Sequence, residues 1–427
     1  MSITQQLIDI SVLKGEIRTS ILNKGVSLDS SAQFSTYPGK IDSISAAPAT
    51  TYHIGTGFSN IVYSITADSS NHLYASGAFT TYKDVSQNYL ARLNSDGSKD
   101  TTFDIGTGFN GGIQTTVIDS SNNIYAGGSF TTFQGATQNR LIRLKNDGSK
   151  DISFDVSNGF NSTVYTMLLD SSNRLYVGGS FSTYKGSPQN YLVRLNNDGS
   201  KDTSFDISNG FAGTFSFQTE VYSLILDSSN KLYVGGEFLT YKGLNQKALV
   251  RLNSDGTKDT AFDVSNGFNN LIDTNCLWLD SSNRLYAGGQ FSTYKGLPQV
   301  YLIRLNNDGS KDTTLDISTL NAGFNSIINS MFLDASNRLY VSGSFTTYKT
   351  LPQNRLIRIN ADGSKDTSFD VSNGFSSYIK EFVPDTSNHI YISGAFTTYW
   401  SIPYPYYTRY LIRIFTNGAI DTDTSNI

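Results

Sequence analysis

Val164 to Phe205 reads VYTMLLDSSNRLYVGGSFSTYKGSPQNYLVRLNNDGSKDTSF, and close copies of this stretch run from about residue 51 to the C-terminus. The aspartates that open its DSSN signature fall at Asp68, Asp119, Asp170, Asp227, Asp280, Asp334 and Asp385, so the repeat lengths are 51, 51, 57, 53, 54 and 51 residues. A period of this size marks a supersecondary unit that cannot bury its apolar faces alone and must stack on its neighbours.

Within the third repeat four strands are predicted: Val164 to Leu169, Leu175 to Phe181, Tyr191 to Asn196 and Asp202 to Ile207. Each is short, rich in β-branched and aromatic residues, and bounded by turn residues. The second strand sets Leu175, Val177, Gly179 and Phe181 on one face and Tyr176, Gly178 and Ser180 on the other. Neither face is charged, so both are expected to be covered, as in a sheet sandwiched between two others. Gly77, Gly128, Gly179, Gly236, Gly289, Gly343 and Gly394 recur at one position of this strand. Glycine weakens a strand unless something approaches closely or the strand bulges, and here it points to close contact between blades near an axis. The reading is an all-β, seven-bladed β-propeller of four-stranded blades.

The turns carry their own signals. DSSN joins strands one and two, and NDGSKD joins strands three and four, with Gly97, Gly148, Gly199, Gly256, Gly309, Gly363 and Gly418 where a positive φ is needed. Across that second hairpin an Arg and an Asp stand eight residues apart in every copy, as in Arg92 and Asp100, Arg194 and Asp202, and Arg413 and Asp421. An ion pair pinning the register of the outer strands explains seven identical occurrences better than seven active sites do.

Residues 1–46 are a separate part. Ile3, Leu7, Ile10, Ile17 and Ile21 form a narrow apolar stripe on a predicted helix that ends near Asn23-Lys24-Gly25. With no companion helix in the chain, the stripe calls for a partner surface, and the plainer alternative is that it packs on the chain's own propeller. The linker SAAPATT sets the boundary, and the propeller occupies residues 47–427. The last copy ends IDTDTSNI without the Phe-Asp-Ile that completes the outer strand elsewhere, whereas Tyr52 to Phe58 matches Phe103 to Phe109. Thr51 to Ile54 is therefore expected to join the last blade and close the ring.

Composition excludes several function classes. The charged fraction is 16% and the formal net charge −4, so no basic field gathers nucleic acid. Cys276 is the one cysteine, which leaves no thiolate metal cluster or internal disulfide, and no apolar run reaches the ~20 residues of a membrane helix. No cofactor or metal is expected: the NxDG loops place Asn196, Asp198, Ser200 and Asp202 in alternation, but their glycine follows the second oxygen ligand, unlike a helix-flanked calcium loop. Three scattered histidines and no nucleophile elbow argue against a hydrolytic triad, and glutamate is scarce, so the chain is read as no enzyme. No basic start leads into an apolar core at the N-terminus, so no signal peptide is expected.

One break in the repeat stands out. The connection that reads TYKGSPQN in the third copy becomes Thr398 to Arg409, TYWSIPYPYYTR, in the seventh. Tyr399, Trp400, Tyr404, Tyr406 and Tyr407 form a proline-stiffened aromatic platform, suited to sugar rings or another protein, or to shielding the ring seam.

The linked landmarks LYVGGSF and RLNNDGSKDTSFD closely resemble the delta-60 type of β-propeller repeat, which implies a propeller over residues 51–427 and no particular activity. Residues 17–44, IRTSILNKGVSLDSSAQFSTYPGKIDSI, resemble a short segment found near the ends of bacteriophage tail and fibre proteins. This second resemblance implies a structural virion protein of the tail, made in a bacterial cytoplasm, docked on other tail or fibre proteins through its N-terminus. The propeller would then be a spacer or a head that binds a host surface glycan or protein. The alternatives are a bacterial propeller lectin or adhesin and, third, a propeller hydrolase. If Thr51 to Ile54 closes the ring, a chain lacking residues 51–58 loses most of the cooperativity of its thermal unfolding; calorimetry giving a wild-type transition would refute the closure.

Overall fold

The computed structural model describes residues 57–421, apart from 216–217, 265, 316, 318–322, 372–373, 386–388, 401–404 and 408. The predicted N-terminal helix with Ile3, Leu7, Ile10, Ile17 and Ile21, and the predicted closing strand Thr51 to Ile54, lie outside these residues.

Among the described residues all regular structure is β and no helix occurs. Each repeat builds a three-stranded antiparallel sheet in the order first, second, third, exemplified by Val62–Ala67, Leu73–Gly77 and Leu90–Leu93, and seven such sheets follow in sequence. Second strands are buried along their whole length except at His389, which opens the last of them, as the uncharged faces require. Apolar clusters join adjacent sheets: Tyr74 and Leu90 of the first pack with Ile113, Ile124 and Ile142 of the second. The seventh meets the first in the same way, since Tyr391 and Leu411 share a cluster with Phe58, Val62 and Ile65.

Between second and third strands a two-residue hairpin, such as Thr183–Tyr184 with Ser187–Pro188, folds over the outside. Its tyrosine is buried and donates its hydroxyl to the glycine carbonyl of the NDG turn, as in Tyr184 to Gly199 at 2.5 Å. Those turn glycines adopt φ between 77° and 93°, as their position demands.

Among the described residues the predicted fourth strand is reduced to a single bridge, such as Leu195 to Lys201. Asp202 Oδ1 accepts from the backbone and hydroxyl of Ser204, at 2.9 and 2.7 Å, and this side-chain turn bends the chain off the ladder. Phe205 and Ile207 then bury against the next repeat, and Asp206 N donates to Asp255 O of the following hairpin. The same crossing explains why the turn glycine is needed twice over, since a Cβ on Gly256 would lie 2.6 Å from Asp206 O.

The Arg and Asp eight residues apart meet in every repeat, from Arg92 to Asp100 and Arg194 to Asp202, both at 2.7 Å, to Arg413 to Asp421 at 2.5 Å. Their reach exceeds hairpin register. Arg92 Nη1 also donates to Tyr74 Oη at 3.0 Å and to Asn146 O in the next sheet at 2.7 Å. The contact recurs at each junction, and Arg413 Nη1 to Ser95 O, 3.1 Å, carries it from the seventh sheet to the first.

Arg304 is 1% exposed. Removing it leaves Tyr286 Oη, Ala361 O and Thr314 Oγ1 without their donor and Asp312 with only the third-exposed Arg284 as an ion-pair partner, so Arg304→Ala should lower the unfolding free energy by about 3–5 kcal/mol in urea titrations. Arg304→Lys should recover little, because a single ammonium cannot serve the fork; a loss below ~1 kcal/mol for the alanine variant would show that the hub does not hold the sheets.

Candidate site at the first-strand bulges

Every first strand loses register just past the residue that pairs with the recurring glycine. Val62 pairs with Gly77 and Ser64 with Ser76, leaving Tyr63 thrown out of the ladder. The same break expels Gln114, Tyr165, Tyr222, Asn329 and Lys380, and in the fifth sheet it widens to Asp273 through Cys276. The recurring glycine makes the bulge fit. A Cβ on Gly77 would sit 2.1 Å from Ile61 O, and on Gly343 2.1 Å from Ile327 O. That close approach lies within one sheet and not between blades, correcting the sequence expectation. The glycine before it, where present, meets the neighbouring blade, as Gly178 does Val221 Cγ1 at 2.6 Å.

The first strands of successive sheets touch in cyclic order, so the expelled side chains converge. Tyr63, Gln114, Tyr165, Asn275, Lys380 and Glu381 line one depression whose enclosed space is about 20 Å³, room for a water or two and no more. A larger ligand would therefore rest on the mouth and insert only a tip. Tyr165 and Tyr222 lie with centroids 5.4 Å apart, and Lys380 Nζ reaches across to Thr274 Oγ1 at 3.4 Å. All of these residues are half-buried, so each keeps surface for a partner.

Three of the chain's four glutamates stand in this region. Glu381 Oε2 accepts the backbone N–H of Ile65 in the first sheet at 2.7 Å. Enclosure of its carboxyl pushes its pKa up to about 7, although the hydrogen bonds from Ile65 and Ser64 and the charge of Lys380 pull it down. Glu220 and Glu237 are cross-strand partners, both buried. Gln218 donates to Glu220 at 2.6 Å, Tyr222 donates to it from the mouth, and Thr214 donates to Glu237. Burial raises the Glu220 pKa, and the Glu237 charge adds to the rise.

The aromatic platform fares differently. Tyr399 is 1% exposed, donates its hydroxyl to Gly418 O at 2.6 Å and packs 4.8 Å from Phe375. It is the last repeat's copy of the buried hairpin aromatic, a Tyr in six repeats and Phe133 in the second, and not an exposed ligand contact, which corrects its assignment. Thr398–Trp400 and Pro405–Tyr407 form a longer hairpin, while Tyr404 and the side chains of Trp400, Tyr406 and Tyr407 lie outside the described residues. In the turns, Asp198 Oδ1 is taken by the backbone and hydroxyl of Ser200, at 2.8 and 2.7 Å.

Sequence reasoning missed the bulge residues because it weighed what the repeats share. One column does differ in every way that matters to a ligand: V-Y-S, I-Q-T, V-Y-T, V-Y-S, I-D-T, I-N-S and I-K-E open the seven first strands.

Comparison with known families gives a match to "Domain of unknown function (DUF5122) beta-propeller" at residues 69–103, 120–154, 171–205, 228–262, 281–315 and 335–369. No curated protein matches. Among solved structures, the WD40 β-propeller domain of Doa1 aligns over 79% of this chain and 91% of its own, with 12% identity and TM-score 0.48. Virginiamycin B lyase from Staphylococcus aureus aligns over 79% and 92%, with 12% identity and TM-score 0.46. The extracellular domain of a putative one component system from B. thetaiotaomicron aligns over 83% of this chain, with 13% identity and TM-score 0.39, and this chain spans 40% of its length.

The Glu381 carboxyl generates a pH dependence. Its folded pKa lies above the unfolded value of 4.5, so the folded chain holds more protons between the two and stability falls as pH rises from about 4.5 to 7. Glu381→Gln should match wild type near pH 4.5 and exceed it above pH 7 by up to about 3 kcal/mol, read from denaturant midpoints; equal midpoints at both pH values would place the carboxyl in open water. The recurring sheets and six matched repeats identify the chain as a β-propeller repeat protein.

Proposed function

We propose that the chain is a non-enzymatic recognition protein: a seven-bladed propeller, closed between first and last blades, that binds a host surface glycan or protein at its bulge-lined mouth. The observation that carries this reading is the division within each repeat. Arg, Asp, Tyr and Gly positions of the scaffold hardly change, while the residue expelled from the first-strand ladder is Tyr, Gln, Tyr, Tyr, Asp, Asn or Lys, and Tyr63, Gln114, Tyr165 and Lys380 among them line the mouth. A mere spacer gains nothing from such variety, whereas a binding surface needs rings to stack and unlike polar groups to orient a ligand.

Attachment is assigned to residues 1–46, and the setting to a bacteriophage tail or tail fibre, on the resemblance of residues 17–44 to tail and fibre proteins. The protein would then be made in the bacterial cytoplasm and carried in the virion, docked on other tail proteins. Mass spectrometry of purified particles tests the setting, since the chain should be a stoichiometric component; finding it on the bacterial surface instead would favour an adhesin or lectin. For the contact, Tyr165→Ala with Tyr222→Ala should cut binding to host cells about tenfold or more, the loss expected for two stacking rings. Trp400, Tyr404 and Tyr406 exchanged together for Ala form the parallel arm. Unchanged adsorption in both arms would remove the recognition role.

A further inference from the structure

The repeats supply an internal comparison for one groove. In six of the seven, the residue after the DSSN turn sends a basic side chain toward the outer-strand aspartate. Arg284 contacts Asp280 at 2.7 Å and Asp312 at 2.9 Å, and Arg174 and Arg338 span the corresponding pairs. His72 and His389 do so with their rings, and Lys231 reaches Asp259 at 2.8 Å. In the second repeat the position is Asn123, whose Nδ2 stops at Asp119 Oδ2, 3.0 Å away. Asp151 is left with Arg143 as its one ion-pair partner among the described residues.

A cavity of about 400 Å³ opens at this junction of the second and third repeats, lined by Asp119, Tyr125 and Arg143 on one side and Asn173, Asn197 and Asp198 on the other. Lys145 stands where the fourth repeat has Asn253, the acceptor of Lys231 Nζ, but forms no ion pair with Asp119 or Asp151 among the described residues. The Asp198 carboxyl turns toward Ser200 and adds a further negative wall.

We infer that this groove is a binding site for a guanidinium or primary ammonium head group, such as an Arg or Lys side chain presented by another protein. The argument is not the acidity of the groove. Three sibling junctions of the same chain hold a guanidinium on the corresponding carboxylates, so the geometry of the missing group is already drawn. The donor set needed is one or more N–H groups directed at Asp119 Oδ2 and Asp151 Oδ2, which a planar guanidinium can offer to both and a primary ammonium to at least one, and which a trimethylated ammonium cannot supply.

The probe is agmatine, titrated into the full chain and followed by calorimetry and amide chemical shifts. Wild type should bind it saturably in the millimolar range, with shifts confined to the second and third repeats, and tetramethylammonium should not compete. Asn123→Arg places the chain's own guanidinium in the groove, a residue that three other repeats accept there, and should abolish agmatine binding while leaving the melting temperature equal or higher; Asn123→Lys should behave alike. Equal binding to wild type and Asn123→Arg, competition by tetramethylammonium, or no saturable response of wild type would each overturn the site. These outcomes leave the mouth and its binding role untouched, because the groove lies in different residues.

Discussion

The structure depends on one buried cation per repeat that belongs to two sheets at once. Arg194 places Nε on Asp202 of its own hairpin, Nη1 on its own Tyr176 hydroxyl and on Ser254 O of the next sheet, and Nη2 on Ser204. The ring of Phe205 covers its flat face, 4.9 Å away. A guanidinium taken out of water is costly unless each donor finds an acceptor, and here every nitrogen has one. Because the acceptors come from both sheets, full satisfaction requires one relative placement of neighbours. The apolar clusters drive the sheets together, but Leu, Ile and Val tolerate sliding; the fork does not.

That fixed frame is what frees the first strand to vary. The bulge needs backbone against backbone, and the glycine opposite it supplies the room whatever side chain is expelled. Tyr63, Gln114 and Lys380 can therefore differ in size, charge and polarity without disturbing the ladder that follows, which regains register at Ser64, Thr115 and Glu381. Glu381 goes further, since it accepts Ile65 N from the adjoining sheet, the role Ser64 Oγ plays toward Thr116 N at the next junction. A mouth residue thus doubles as a cap on an inner strand edge.

What could be read in advance follows from which interactions are local. Turn chemistry at Gly199 and strand content at Leu175–Gly179 depend on a few adjacent residues, and the repetition of Arg194 and Asp202 across a hairpin placed them face to face. The predicted fourth strand from Asp202 failed because the same Asp caps a turn through Ser204, a competition that apolar Phe205 and Ile207 concealed. The partner of Gly77 was misjudged because close approach within a sheet and between sheets leave the same mark on a sequence. The mouth carries no shared signature, because the bulge position is where the repeats differ, and the burial of Tyr399 is masked by the aromatic residues that follow it, which its buried equivalents Tyr184 and Tyr294 lack.

The hub position and the outer position of the repeat show how burial sets tolerance. Side chains of the hub arginines are 1–9% exposed, and all seven are Arg. The outer basic side chains at His72, Arg174, Lys231, Arg284 and Arg338 are 31–36% exposed, and their identity wanders. Water screens a third-exposed charge and makes good what a smaller or rounder group leaves unbonded, so Lys and Arg are near equivalents there and an imidazole is accepted in their place. No such help reaches the hub, where a group without the planar fork would leave Tyr176 or Ser254 O unanswered. His389, at 15% the least exposed of the outer set, stacks 4.7 Å from Phe415 in the last sheet, so the imidazole is retained where a flat ring packs better than an extended chain.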